Sequence, residues 1–271
     1  MKIKLISDKK IAETSSKGNQ EKWFDESANK WYKLDQYGYE AAAEAVASRL
    51  AKLGNIQKFG YVKYYVESVE VHGYKRLASV SEGFLGAGCS IITLNQLLSK
   101  ADGKPLVTVL AKLSSNKKRI EYIAEKTAEV TGLKDFPKYL TMLFEFDGLI
   151  LNTDRHLNNI AVIEKSGKYD YCPFFDNGAA FLSDTRIYPM DILPKALISS
   201  AVALPFSTTF NRQINICREL YGKQLEMPEL DRKTISAIAE PFIEFYPKRD
   251  KSLISGRITE CILIRQKKQL Q

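Results

Sequence analysis

The chain has 271 residues, 45% of them hydrophobic and 27% charged, with a formal net charge of +8. This is ordinary composition for a soluble globular protein, with material for one large domain or two lobes. No apolar run approaches the ~20 residues that span a bilayer, and the apolar stretch near Met1 is too short for a signal peptide. Lysines are dispersed except at Asn116-Lys117-Lys118-Arg119 and the C-terminal RQKKQLQ. The charge therefore reads as a solvated surface, and no nucleic-acid-binding module is visible. The cysteines (Cys89, Cys172, Cys217, Cys261) show no C-x-x-C spacing and sit among apolar neighbours. Reduced core thiols in a cytoplasmic protein are the expectation, with export left open.

In chain order, residues 3–6 predict a short strand and residues 13–23 a polar loop. The loop's Ser-Ser-Lys-Gly-Asn-Gln run has the small residues and backbone donors that can wrap phosphates; a solvent loop has the same composition. Lys30–Leu34 reads as a strand in which Lys33 alternates with apolar residues, either as an edge lysine or as a cation on a buried stem. A helix follows from Tyr39 to Leu53, with Ala43, Val46, Ala47, Leu50 and Leu53 on its core face and Gly54 after its end. Residues 59–81 alternate and break at His72-Gly73, a β-hairpin pattern that makes His72 a turn residue. The glycines of 82–88 suit either a hinge between lobes or a plain linker.

From Thr93 onward the pattern is helical: Leu94–Leu98, Lys118–Thr131 and the apolar Pro137–Leu151, with 105–113 ambiguous. Residues 152–158 form a polar loop, followed by a strand at 159–163, a turn at Ser166-Gly167 and a strand at 169–175. The segment from 179 to 194 reads as a loop, and residues 209–220, 231–242 and 249–266 as helices. The fold class is α+β and bilobal. A strand-rich lobe (1–85) stands over a larger helical one (86–271).

The chemistry concentrates in residues 144–178. Asp154 and Asn159 are spaced D-x-x-x-x-N, and Asp176-Asn177-Gly178 follows one hairpin later. Phosphoryl transfer from ATP requires a carboxylate to take or orient the acceptor's hydroxyl proton. A carboxylate and an amide oxygen must also hold Mg²⁺ against the phosphates. Asp154, Asn159 and Asp176 fit those roles in order. A polar turn with a capping aspartate explains D-x-x-x-x-N alone; the Asp-x-Gly at hairpin distance favours the kinase reading. His156 lies in the same loop, where it can orient the backbone, and no second His or Cys stands at metal-ligand spacing. Arg155 suits either a phosphate contact or a structural salt bridge.

Asn152-Thr153-Asp154-Arg155-His156-x-x-Asn159, followed by Pro173-Phe174-Phe175-Asp176-Asn177-Gly178, resembles the bacterial HipA-like kinases. Phosphatidylinositol kinases share D-R-H-x-x-N. Ser15-Ser16-Lys17-Gly18-Asn19-Gln20-Glu21-Lys22 is similar to that family's phosphate loop S-x-x-G-x-Q-x-K, which separates the two. The resemblance implies a serine/threonine protein kinase using ATP and Mg²⁺. Ser15, Ser16, Gly18, Asn19, Gln20 and Lys22 would lie around the phosphates. Lys33 would bind phosphate, and Glu44, selected by the family pattern E-x-x-x-x-R-L-A over Glu40, would orient it. It also implies autophosphorylation at Ser15, and a toxin or effector role with an antitoxin partner. Full-length toxins of this type carry an N-terminal subdomain before the phosphate loop, so the expectation is a compact form. The alternatives are a phosphoinositide or small-molecule kinase and, in another class, an inactive kinase-shaped scaffold.

Overall fold

The computed structural model describes residues 4–6 and 20–269. Five strands build the first sheet: β1 (Lys4–Ile6), β2 (Lys22–Asp25), β3 (Lys30–Leu34), β4 (Tyr64–Val71) and β5 (Tyr74–Glu82). Their order is β1-β4-β5-β3-β2, antiparallel except for the parallel β1–β4 pair. The β4–β5 turn places His72 at φ 53° and Gly73 at φ 77°, the left-handed conformations that a two-residue hairpin turn needs. One face of the sheet carries Trp23 stacked on Tyr32 with ring centroids 5.1 Å apart, beside Leu34, Val69, Val71, Ala78 and Val80.

Helix α1 (Glu40–Ala51) packs against β4 and β5. Every one of its residues but Arg49 is buried. The expectation of a single core face was therefore too narrow. The run EAAAEAVA offers small side chains on all sides, so neighbours close on the helix from every direction. Leu53 departs from the expected core face in the other sense, being 42% exposed. The helix ends at Ala51, and Leu53 no longer follows its periodicity.

The chain then crosses through 83–89 into β6 (Ser90–Thr93), a strand that the sequence pattern left unassigned. β6 pairs with β7 (Ala161–Lys165), and β7 with β8 (Lys168–Tyr171), in an antiparallel three-stranded sheet. Helices α2 (Leu94–Asp102), α3 (Leu106–Ala111) and α4 (Asn116–Thr131) follow. Thr93 and Gln96 form a reciprocal capping box at the start of α2, and Ser115 caps α4. Helix α5 (Phe136–Ile150) is the spine of this part, buried without interruption from Tyr139 to Ile150. It contacts α4, α7 (Phe210–Tyr221) and α9 (Lys248–Gln269). Helix α6 (Pro194–Ile198) begins at the last residue of the segment that read as loop, and α8 (Arg232–Ile243) packs on both α9 and α1.

All four cysteines are free. Three are buried as expected; Cys89, in the crossing, is only partly so. Among the described residues no helix is long and apolar enough to cross a membrane.

Candidate active site

A cleft of about 740 Å³ runs between the first sheet and the loops that follow α5 and β8. Its wall includes Lys22, Lys33, Asp154, His156, Asn159 and Asp176, which are distant in sequence and converge here. The alternation of β3 sends Tyr32 and Leu34 into the core and leaves Lys33 facing the cleft. The Lys33 ammonium is 3.1 Å from Glu44 Oε1 and 2.7 Å from Asp176 Oδ1, with the Tyr64 ring centroid 5.6 Å away. Burial alone would lower its pKa; the Asp176 and Glu44 charges outweigh burial and hold the lysine charged well above its usual range.

Glu44 is buried in α1, and burial raises its carboxyl against the pull of Lys33. Its second oxygen, Oε2, is buried with no hydrogen-bond partner among the described residues. Glu40, the other glutamate on this helix, is engaged elsewhere: its carboxylate accepts from the backbone N–H groups of Tyr37 (2.7 Å) and Gly38 (3.1 Å). It ties down the turn before the helix and leaves Lys33 to Glu44.

Asp176 has φ 59°, a strained conformation for a residue with a side chain. Its N–H reaches the Tyr64 hydroxyl at 3.4 Å. Burial would raise the Asp176 carboxyl, but Lys33, with Lys22 and Arg155 behind it, brings it down to about 2. The carboxylate is thus ionised across the neutral range. Lys22 shifts the other way: burial and the Lys33 charge lower its pKa, with Asp176 opposing.

The loop after α5 is built on a buried node. Arg155 is 1% exposed and grips Asp147 with two bonds, Nε to Oδ2 at 2.9 Å and Nη2 to Oδ1 at 3.0 Å. Its remaining N–H groups donate to the carbonyls of Asn159 (3.0 Å) and Phe175 (2.7 Å) and to Asn177 Oδ1 (2.7 Å). Asn152 joins the node by donating to Asp147 Oδ1 and to the Asp176 carbonyl. One guanidinium therefore ties α5, the D-x-x-x-x-N loop and the Asp176 segment together. Of the two roles the sequence left open for Arg155, the geometry selects the structural one.

Around that node the loop exposes its polar groups. Asp154 has 59% of its side chain exposed, with His156 Nε2 at 3.9 Å. Partial desolvation raises the Asp154 carboxyl; Asp176 adds to the effect, and His156 and the nearby cations oppose it. The His156 N–H donates to the Asp154 carbonyl and the Asn159 N–H to the His156 carbonyl, each at 2.8 Å. The loop is thus ordered by backbone bonds; the imidazole's buried Nδ1 has no partner among the described residues. Asn159 donates its Nδ2 to the Asp154 carbonyl at 3.0 Å, which leaves Oδ1 as its acceptor.

Asn159 and Asp176 form an all-oxygen donor set, suited to a hard cation that completes its shell with water and phosphate oxygens. Among the described residues no cluster of three or more His, Cys, Asp or Glu could hold a metal. Of the loop resembling a phosphate loop, Ser15, Ser16, Gly18 and Asn19 lie outside the described residues. Gln20 donates to the Leu34 carbonyl at 2.6 Å and lines the cleft with Lys22. Sequence reasoning did not find Tyr64 or Asp147, and it quoted Asn152 and Asn177 within the motifs without giving either a role. A tyrosine alternating in a strand and a carboxylate in an apolar helix look like core positions until their partners are known.

No family model and no curated protein matches this chain. Among solved structures, the chain superposes on the Helicobacter pylori proinflammatory kinase CtkA with a TM-score of 0.63. Identity is 13%, over 94% of this chain and 92% of that one. It also superposes on HipA of Shewanella oneidensis MR-1, solved with HipB and its operator DNA, with a TM-score of 0.50 at 16% identity. That match covers 94% of this chain and 65% of the other. The chain shares the fold of these kinases, in agreement with the resemblance read from its motifs.

Proposed function

We propose that this protein is an ATP- and Mg²⁺-dependent serine/threonine protein kinase. The observation that carries the reading is the Lys33 ammonium set between Glu44 and Asp176 at the head of a cleft that also holds Asp154 and Asn159. Glu44, fixed in a helix buried on all sides, aims Lys33 at the phosphates. Lys33 would contact phosphate oxygens, and Asp176 with Asn159 Oδ1 would hold Mg²⁺, which would supply positive charge against the transferring group. Asp154 orients the acceptor hydroxyl and takes its proton as the oxygen attacks phosphorus. Gln20 and Lys22 belong to the phosphate loop, whose Ser15 is the expected site of autophosphorylation; a phosphate there repels those of ATP.

The kinship of fold with HipA, from a toxin–antitoxin system, supports a toxin or effector role with an antitoxin partner as a narrower form of this reading. A cytoplasmic location belongs with it. The test is transfer of radiolabelled phosphate from ATP-Mg by the wild type and Asp154→Asn. Parallel tubes hold the protein alone, generic protein substrates and phosphoinositide vesicles. Label on protein, reduced on the order of 10²–10⁴-fold in the variant, is expected for loss of the base. Label on lipid alone moves the activity to the phosphoinositide class. Bound ATP with no transfer in any tube makes the protein a scaffold.

A further inference from the structure

Helix α1 carries Glu44, yet its first turn is capped from outside. Tyr39 stands at the N-cap and makes no side-chain hydrogen bond to the helix. The N–H groups that a serine or aspartate there would satisfy belong to the second and third helical residues, Ala41 and Ala42. Both are buried, and both find acceptors brought from elsewhere. Ala41 donates to Asp35 Oδ1 at 2.6 Å, and Ala42 to the Tyr246 hydroxyl oxygen at 3.2 Å. The Tyr246 hydroxyl in turn donates to Asp35 Oδ2 at 2.6 Å. Two adjacent helix N–H groups, a carboxylate and a phenol thus close into one loop of hydrogen bonds.

The contributors come from three parts of the fold. Asp35 directly follows β3, two residues after Lys33; its N–H donates to the Leu77 carbonyl of β5 at 2.8 Å, and its carbonyl accepts from Arg76 at 2.6 Å. Its backbone therefore continues the first sheet. Ala41 and Ala42 lie within one turn of Glu44. Tyr246 is buried between α8 and α9, in the helical part. A local cap at position 39 would satisfy the same N–H groups; a phenol from the helical lobe does so while also gripping the strand. The rest of α1 is docked independently. The Arg49 guanidinium lies 5.5 Å from the Phe242 ring centroid on α8. Beyond the helix end, Asn55 donates its Nδ2 to the Gln224 carbonyl at 2.9 Å and accepts at Oδ1 from the Glu226 N–H at 3.0 Å. Loss of the Tyr246 hydroxyl leaves these contacts in place and frees the register of α1 against β3.

We infer that Tyr246, acting through Asp35, is a positioning residue for the Lys33–Glu44 pair. It sets the strand that carries the lysine against the helix that carries the glutamate, and fixes both to the helical lobe. The inference rests on the kinase reading above and adds to it a residue remote from the cleft on which the placement of Lys33 depends.

The test is titration with ATP-Mg of the wild type, Tyr246→Phe, Asp35→Ala, Glu44→Gln and the double variant Tyr246→Phe/Glu44→Gln. Hydrogen exchange of the Ala41 and Ala42 N–H groups is followed in the wild type and Tyr246→Phe. Tyr246→Phe, which keeps its ring and loses only the hydroxyl, should raise the Kd for ATP-Mg roughly three- to tenfold, the scale of one hydrogen bond. It should also speed exchange at Ala41 and Ala42. Asp35→Ala breaks the same bridge from the strand side and should weaken ATP-Mg at least as much. In the Glu44→Gln background, Tyr246→Phe should change the Kd by less than about twofold, because the phenol acts through the pair. A general loss of stability would carry over into that background undiminished. An effect of full size there, or wild-type affinity and exchange in Tyr246→Phe, overturns the positioning role and leaves the kinase reading intact. A wild type that does not bind ATP-Mg overturns both.

Discussion

Arg155 offers the sharpest test of how the candidate site is built. Replacing it with methionine keeps most of the volume and deletes five hydrogen bonds, two of them to Asp147 and one each to Asn159, Phe175 and Asn177. Both partners of the ion pair are 1% exposed, so the carboxylate left behind has no water to turn to. Burial already pushes the Asp147 pKa up against the pull of Arg155; without the guanidinium it is driven to protonate. Removing one member of a buried pair typically costs about 3–5 kcal/mol. That is a large share of the ~5–15 kcal/mol that holds a folded domain together. Urea unfolding of Arg155→Met should show this loss as a lowered midpoint. Replacing both partners, Arg155→Met with Asp147→Leu, should restore much of the stability, because no buried charge remains. It should not restore phosphate transfer, because the Asn159 and Phe175 carbonyls still lack their donor and the loops they belong to lose their alignment. A loss below ~1 kcal/mol in the single variant would refute the strut. Full stability with transfer abolished would make Arg155 a phosphate-contacting residue instead.

Three other perturbations probe separate links. Glu44→Gln removes one of the two carboxylate charges that fix Lys33; KM for ATP should rise roughly tenfold, for one weakened charge-assisted contact, and nucleotide titration of the variant checks it. Asp35 accepts from the Tyr246 hydroxyl and the Ala41 N–H, and burial raises its carboxyl to about 7. The folded state therefore keeps a proton there that the unfolded chain has lost above about 4. This group's contribution to stability falls as pH rises from about 4 to 7, so Asp35→Asn should flatten that part of the pH–stability curve in urea titrations. Gly38→Ala places a methyl where the Ser183 carbonyl stands, and should expose residues 183–188 to limited proteolysis without melting the helical part.

Much of the architecture was legible because it follows from periodicity and punctuation. The His72-Gly73 break marked the β4–β5 hairpin, Gly132 ended α4, and the apolar run after Pro137 marked α5. The convergence of Lys33, Glu44 and Asp176 was anticipated through the spacing of motifs in a resembled family, since alternation alone leaves Lys33 as a strand lysine. What escaped was whatever depends on partners remote in sequence. Strand β6 is four residues long, too short for its alternation to be read until Ile91 is set opposite Ile163. Glu145 and Asp147 sit in the apolar face of α5 because Arg218 and Arg155, 73 and 8 residues away, arrive to neutralise them. Helix α6 is too short for its periodicity to be read.

The placement of strain gives a common reason for these buried polar groups. Leu151, at the end of α5, and Asp176, after β8, both hold positive φ, at 57° and 59°. Each conformation costs of order 1–3 kcal/mol for a residue that is not glycine, and persists only where the surroundings over-determine it. These two positions border the Arg155–Asp147–Asn152–Asn177 node. Asn152 donates to the carbonyl of Asp176 itself, and Arg155 to that of Phe175 just before it. An apolar core could fill the same volume but could not dictate the direction of two backbone turns, because dispersion is not directional. Hydrogen bonds to fixed carbonyls are directional, and a planar guanidinium can reach several of them at once. The buried pair is thus explained less by the stability it adds than by the geometry it imposes on the turns that carry Asp154, Asn159 and Asp176.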